Sequence, residues 1–438
     1  MGKESSKNRF SPVKYGCFSA VTVLLALLIM ELLLRICVMP SDRCGGTLFG
    51  ISLPPISIAP PVDFMTEDPE TKKMKLRERL SRSAGKADGR TDRVSTDDQF
   101  GVFIEDEFTG YEYLESCTTP GGWWHMNNLG ARSWSDTTRE KGSGKKRVLV
   151  FGDSFTACSD VRQEDSWPLI MQERNANMEV LNFGVDGYGM GQCLLRYLKK
   201  RDLVEYDQVI LVFVPFCDLE RDINTYRRLM GWDSWMLLPR FAAENERLEL
   251  IRGPYKTSRD FCIDNSGKMS AKAVAHLRKY DALYYRTRYE PAGFPGNLIL
   301  SKLFLCMYDN GKDNSRHNHL YDPGSEAMTV SRRIFHSMFR EAAGQGKTFN
   351  LFILPRLDDI REYGRSLPYR KRWDGMARSI AGDGTPCTDL MPELSKMPGD
   401  RLDRASDGFH NGRKTNTVIA DIISRAVLGG GDAGRPKN

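Results

Sequence analysis

Val148-Leu-Val-Phe-Gly-Asp-Ser-Phe155 is a short apolar run that stops at a glycine and then presents an acid and a serine. A continuous apolar run of this length, bounded by turn residues, reads as a buried strand. The pattern repeats along the chain. Glu179 to Phe183, Gln208 to Val214 and Thr348 to Leu354 are further strand candidates. Asp165 to Arg174, Gly191 to Lys200, Ala327 to Ala343 and Asn416 to Val427 carry helical spacing, as in Leu194, Leu195 and Leu198. Strands that are apolar throughout and alternate with helices predict an α/β fold, a parallel sheet covered on both faces. In such a sheet ligands bind beyond the carboxyl ends of the strands. Ser154 falls at that place, and the glycine before it is expected to permit a tight turn.

A second stretch, Asp407-Gly-Phe-His410, sets an acid three residues before a histidine near the C-terminus. A hydroxyl is a poor nucleophile until a neighbouring base takes its proton, and a base poised near neutral pH is most simply a histidine. If the two stretches meet in space, the chemistry is that of a serine hydrolase or an acyltransferase.

The bulk properties narrow the choice. The chain has 438 residues, 40% hydrophobic and 27% charged, with a net charge of +6. That charge is modest for the length, and no zinc-finger spacing or other nucleic-acid signature occurs, so no nucleic-acid partner is expected. His317 and His319 stand in what reads as a polar loop without Cys or acidic partners at metal spacing. No metal and no cofactor are expected. The ten cysteines follow no regular spacing, and their pairing is open.

The N-terminus is unusual. Gly16 to Met30 carries no charge, and the apolar character runs on to Met39. Roughly twenty residues suffice to cross a bilayer core as a helix. Glu31 and Arg35 lie four apart and can pair on one helix face. Lys3, Lys7, Arg9 and Lys14 precede the run, so the N-terminus is expected in the cytoplasm and the remainder outside it, in the periplasm if the cell is Gram-negative. Ile36-Cys-Val-Met-Pro-Ser offers no small-x-small cleavage site. Cys37 lacks the small preceding residue of a lipoprotein, and Met1-Gly-Lys-Glu-Ser-Ser6 fits only a loose myristoylation pattern.

The expected organisation is a cytoplasmic tail over 1–15, a transmembrane helix over 16–39 and a linker over 40–98. A catalytic domain over 99–428 and a flexible tail over 429–438 follow. The linker carries Leu53-Pro-Pro, Ala59-Pro-Pro and a charged stretch, Thr71 to Leu80, that can form a short helix. Order is expected to return near Phe100. Residues 231–326 interrupt the strand-helix rhythm and read as an insertion or a small cap over the site. Trp123-Trp124-His125 suits an edge strand better than a sugar platform.

Four separated segments resemble the SGNH/GDSL hydrolase superfamily, particularly its membrane-tethered bacterial members. Phe151-Gly-Asp-Ser-Phe-Thr156 is similar to the block that holds the nucleophile. Asn182-Phe-Gly-Val-Asp-Gly-Tyr-Gly189 resembles the second block, Phe213-Val-Pro-Phe-Cys-Asp-Leu219 stands where the third belongs, and Asp407-Gly-Phe-His410 resembles the last. Asn127-Asn-Leu-Gly-Ala-Arg132 looks like an element that precedes the nucleophile strand in tethered members. The resemblance covers about 99–230 and 327–427.

It implies a flavodoxin-like three-layer fold and a catalytic triad of Ser154, Asp407 and His410. The oxyanion hole would be made by the backbone N–H groups of Ser154 and Gly187. The family's third donor is an Asn side chain, and here that position is Cys217, a weak donor. Thr415 departs from a glycine found in many relatives. The implied activity is a membrane-anchored extracytoplasmic esterase acting on O-acyl, including O-acetyl, groups of surface or exported carbohydrate. An O-acyltransferase using the same triad, and a catalytically degenerate binding or assembly protein, are the alternatives.

Overall fold

The computed structural model describes residues 12–60, 68–83, 102–232, 234–244 and 247–429. The chain divides into two compact units, Met1–Ala59 with Tyr284–Ser315, and Pro60–Leu283 with Arg316–Asn438.

The larger unit is built on five parallel strands, labelled here β1 (Lys146–Phe151), β2 (Met178–Asn182), β3 (Gln208–Phe213), β4 (Thr348–Ile353) and β5 (Cys387–Asp389). Their spatial order is β2-β1-β3-β4-β5, which is the flavodoxin-like order, with its switch point between β1 and β3. Alternation along each strand feeds two cores. Leu149 and Phe151 of β1 and Val209, Leu211 and Phe213 of β3 face one side. Val148, Val150, Ile210 and Val212 face the other. The first core is closed by helices Met190–Lys200 and Glu326–Gly344, the second by Trp167–Arg174 and Arg413–Gly429. The expected three-layer α/β sheet is therefore present. The fifth strand is absent from the sequence reading because it is only three residues long and half-buried, with no apolar run to mark it.

Three expectations need correction. First, the stretch expected as a tether holds ordered structure beyond the short helix expected over Thr71 to Leu80, which is present. In the smaller unit, Thr47–Leu48 pairs with Ile51–Ser52, and Leu48 and Leu53 are buried with Ile299. In the larger unit, Pro69–Ser83 is a helix whose Leu76 and Leu80, four apart, join the main core beside Val102 and Phe103. Charge dominates that helix's composition, but one i,i+4 leucine pair is enough to anchor it. The return of order near Phe100 lies outside the described residues, which resume at Val102.

Second, 231–326 is not one cap. The hairpin Arg240–Glu244 with Arg247–Ile251 and the helices Ser258–Asp264 and Ala271–Tyr280 belong to the larger unit, whereas Tyr284–Ser315 belongs with the N-terminal helix. Third, His317 and His319 are not in a loop but in the last turn of the helix Ile299–His319. His317 packs edge-on against Phe216, with ring centroids 5.0 Å apart, and His319 pairs with Asp322 at 2.7 Å. All ten cysteines are unpaired thiols.

In the smaller unit the helix Pro12–Cys37 contains a segment, Gly16–Cys37, long and apolar enough to cross a membrane. Glu31 and Arg35 do pair, at 2.9 Å.

Candidate active site

β1 ends at Phe151, and a one-turn helix, Ser154–Ala157, starts at the serine itself. The sequence reading placed the next helix only near Asp165; this short turn was hidden by its length. Asp153 caps it, accepting the Phe155 N–H at 2.9 Å. The glycine of this stretch serves closeness rather than turn geometry. A Cβ at Gly152 would run into the Thr156 side chain and sit 3.1 Å from the Val212 carbonyl.

The serine meets the distant pair. Ser154 Oγ lies 2.7 Å from His410 Nε2, and His410 Nδ1 lies 2.7 Å from Asp407 Oδ2. The three-residue spacing of Asp407 and His410 has a local cause. Asp407 Oδ1 accepts the N–H groups of Phe409 and His410, at 3.0 and 3.1 Å, with Gly408 at φ +74° between them. This turn swings the second carboxylate oxygen onto the ring of the same histidine. Thr415 is structural: its hydroxyl donates to the Asp403 carbonyl and accepts the Asp403 N–H, both at 2.7 Å, which pins the base of the loop that carries His410.

A second carboxylate, not foreseen from the sequence, also reaches the ring. Asp160 Oδ2 is 2.7 Å from His410 Nδ1. Burial opposes the imidazolium, but the Asp160 and Asp407 carboxylates outweigh it and push the His410 pKa up to about 10. Burial likewise works to raise the Asp407 pKa, but its contact with His410 leaves it below the ordinary carboxylate value. Asp186, fully enclosed, is pushed upward by burial and takes a hydrogen bond from Ser159.

The loop that carries Asp160 is held by Arg132, the last residue of the 127–132 element. Arg132 is buried and threads its guanidinium into the loop after the serine. It donates to the carbonyls of Ala157 at 2.7 Å, Cys158 at 2.6 Å and Val161 at 2.9 Å, and to Gln163 Oε1 at 2.9 Å. Five donors in a fixed fork suit such a set of carbonyls. No sequence spacing signals it, because these four partners lie 25 to 31 residues away.

A buried ionic cluster braces the other side of the Ser154 turn. Arg221 Nη1 donates to Asp153 Oδ2 at 2.8 Å, to Asp218 Oδ1 at 3.2 Å and to the Tyr188 carbonyl at 3.1 Å. Asp218 Oδ2 accepts the Val214 N–H at 2.7 Å, tying the cluster to the end of β3. The acid of the third sequence block thus anchors backbone.

Gly187 lies in the loop after β2 at φ +75°, and a Cβ there would approach Tyr111 Oη to 2.6 Å, so only glycine fits. Among the described residues, neither its N–H nor that of Ser154 is given to another protein group. The half-exposed indole of Trp232 stands against Gly187 and over the Arg221 guanidinium, 4.9 Å from its ring centroid. Cys217 follows β3 in the helix Pro215–Asp222 and is buried in the core that holds Phe155 and Val214; burial drives its thiol pKa far up, so it stays neutral.

Asp160, Asp407 and His410 each offer one ligand atom within 4.8 Å of the others, the only such group among the described residues that could hold a cation. A cation there would compete with the imidazole proton for Nδ1.

The sequence matches no protein-family profile and no curated protein. Its structure is similar to several solved ones. The lipase/acylhydrolase from Enterococcus faecalis shows 15% identity and a TM-score of 0.31, over 67% of this chain and 99% of that one. The psychrotrophic esterase EstA from Pseudoalteromonas sp. shows 12% identity and 0.30, over 65% and 98%. The acetyl xylan esterase AlAXEase shows 13% identity and 0.29, over 64% and 99%.

Proposed function

We propose that this chain is a membrane-anchored serine esterase of the SGNH type that removes O-acyl groups, O-acetyl among them, from exported or cell-surface carbohydrate. The observation that carries the reading is the unbroken chain of 2.7 Å contacts from Ser154 Oγ through His410 to Asp407. It stands at the carboxyl edge of the sheet, beside the switch point.

In this reading the neutral imidazole of His410 takes the Ser154 proton while Oγ attacks the ester carbonyl. The oxyanion is held by the N–H groups of Ser154 and Gly187. The imidazolium, steadied by Asp407 and Asp160, gives its proton to the leaving alcohol, and water releases the acyl group by the same route. A carbohydrate alcohol is supported by Trp232, whose exposed ring beside Gly187 offers a flat apolar face to the C–H side of a sugar ring. The anchor and its orientation are supported by the uncharged run from Gly16 and the basic residues before it.

The degenerate reading is supported by the sequence resemblance, in which Cys217 takes the place of the family's Asn and brings no amide donor. A serine-directed aryl phosphonate separates the two. Stoichiometric labelling of Ser154, lost in Ser154→Ala together with aryl acetate turnover, is the expected result. An unlabelled Ser154, or full turnover by purified Ser154→Ala, would refute the mechanism. Release of free acetate, rather than its transfer to an added saccharide, distinguishes esterase from transferase.

A further inference from the structure

We infer that the outer face of the helix Ile299–His319, together with Phe294, lies on the lipid surface where the N-terminal helix leaves the membrane. The inference rests on reading Gly16–Cys37 as a span, and it concerns only the part of the helix Ile299–His319 in the smaller unit, which ends at Ser315.

The first observation is Glu31. It lies within the span segment, six residues before Cys37, or about 9 Å of helix from its end. Its carboxylate is buried and accepts the N–H groups of Ile299 at 2.9 Å and Leu300 at 3.1 Å, in addition to Arg35 Nε at 2.9 Å. An acid in a membrane-spanning segment is costly unless it is paired. Here it satisfies the unpaired donors and the positive dipole end of a helix 268 residues downstream. The start of that second helix is therefore fixed at the depth of the span's last turns.

The second observation is which faces of that helix are satisfied. Its inner side packs Ile299 and Leu303 with Leu48, Leu53, Leu34 and Val38. On its outer side Phe304, Met307 and Tyr308 are 67%, 75% and 51% exposed. Their spacing of three and four residues puts them on one face. Just before the helix, Phe294 is 87% exposed, and Phe49 at the hairpin tip is 78% exposed. Both sides of the helix's first turns, 299–308, are thus apolar, which is the pattern of a segment buried all round, yet one side has no protein over it among the described residues.

The occupant follows from position. An amphipathic helix in the membrane interface sinks its apolar face about 5–10 Å into the boundary between headgroups and acyl chains. The fixing point at Glu31 sits about 9 Å inside the end of the span, which matches that depth. Lys312 lays its ammonium over the Tyr308 and Tyr285 rings, 5.3 and 5.4 Å from their centroids, which sets a cation beside this face for anionic headgroups. A water-facing or protein-covered surface has no such reason to begin at a buried acid of the span.

The test uses the full chain in vesicles of phosphatidylcholine and phosphatidylglycerol that contain a lipid with a diazirine on its acyl chain. After illumination, adducts are mapped by peptide mass spectrometry. Adducts are expected on the peptides carrying Phe294 and Phe304 to Tyr308 as well as on the span. The exposed apolar Leu203 and Leu367 of the larger unit, at 45% and 60% exposure, are the background controls. Phe304→Lys with Met307→Lys changes only outer side chains and should bring labelling of that peptide to background while span labelling persists. Span labelling with 294–308 at background in the parent chain would overturn the inference and leave the anchor standing. Absence of labelling on both would overturn the anchor, and the inference with it.

Discussion

Asp160→Asn probes the site's electrostatics most directly. Asp160 and Asp407 each place an oxygen 2.7 Å from His410 Nδ1, and the histidine pKa stands at about 10. Removing one carboxylate removes an attraction of about 4 kcal/mol, for charge centres about 4 Å apart at an effective dielectric near 20. That is about three pKa units, which brings the imidazole of the variant to roughly 7. Only the neutral ring can take the Ser154 proton, so kcat/KM rises with pH through the His410 pKa of the free enzyme. The parent's profile should climb to about pH 10, and the variant's should level near pH 7. Between those values the variant should be the faster enzyme. Above them it should be slower, because the imidazolium formed in the transition state has lost a partner.

Stability follows the same shift. A raised histidine pKa stabilises the folded chain fully below the unfolded value near 6.5, and that contribution is lost as pH rises toward the folded value. Urea midpoints of the parent should therefore fall between about pH 6.5 and 10, by more than those of the variant. Initial rates on an aryl acetate, with Ser154→Ala as the blank for spontaneous hydrolysis, give the profiles. Superimposable inflections in parent and variant would refute the reasoning.

Other outcomes follow from the same geometry. Compared above about pH 10, where the ring is neutral in every form, Asp407→Asn alone should be milder than the loss of about 10⁴ in kcat known for single-acid triads, because Asp160 still holds Nδ1–H, whereas Asp160→Asn with Asp407→Asn should reach that loss; equal rates for Asp407→Asn and the double variant would show that Asp160 gives no support. Gly187→Ala should lower kcat on the order of 10²-fold by displacing one oxyanion donor, since its Cβ would press on Tyr111 Oη, and circular dichroism serves as the folding control. Cys217→Asn should raise kcat on the order of tenfold by restoring an amide donor; an unchanged or lower kcat in a folded variant places Cys217 away from the oxyanion. Arg221→Met should cost about 3–5 kcal/mol in chemical denaturation by leaving Asp153 and Asp218 buried without their cation.

The sheet and the serine's place in it were legible in the sequence, because both depend on short-range pattern. Continuous apolar runs bounded by turn residues mark β1 to β4, and a glycine after a buried strand marks the exit where Ser154 stands. The Asp407 and His410 pair was legible for the same reason: one tight turn sets their geometry. The long apolar N-terminal helix was legible from length and absence of charge, as was the Glu31–Arg35 pair at helical spacing.

Tertiary structure decided whatever depends on contacts between distant segments. Asp160 reaches His410 across 250 residues of chain, and no periodicity in the sequence couples them. Arg132 and Arg221 look like ordinary surface arginines until folding encloses them among carbonyls and carboxylates. The helix Ile299–His319 read as part of a cap because local pattern cannot say that an acid in the N-terminal helix completes its first turn. Local pattern fixes which residues can share a face, since backbone geometry repeats every two or 3.6 residues. Which faces and which charges then meet is set by chain closure and burial, where an unpaired polar group costs enough to select its partner from anywhere in the molecule.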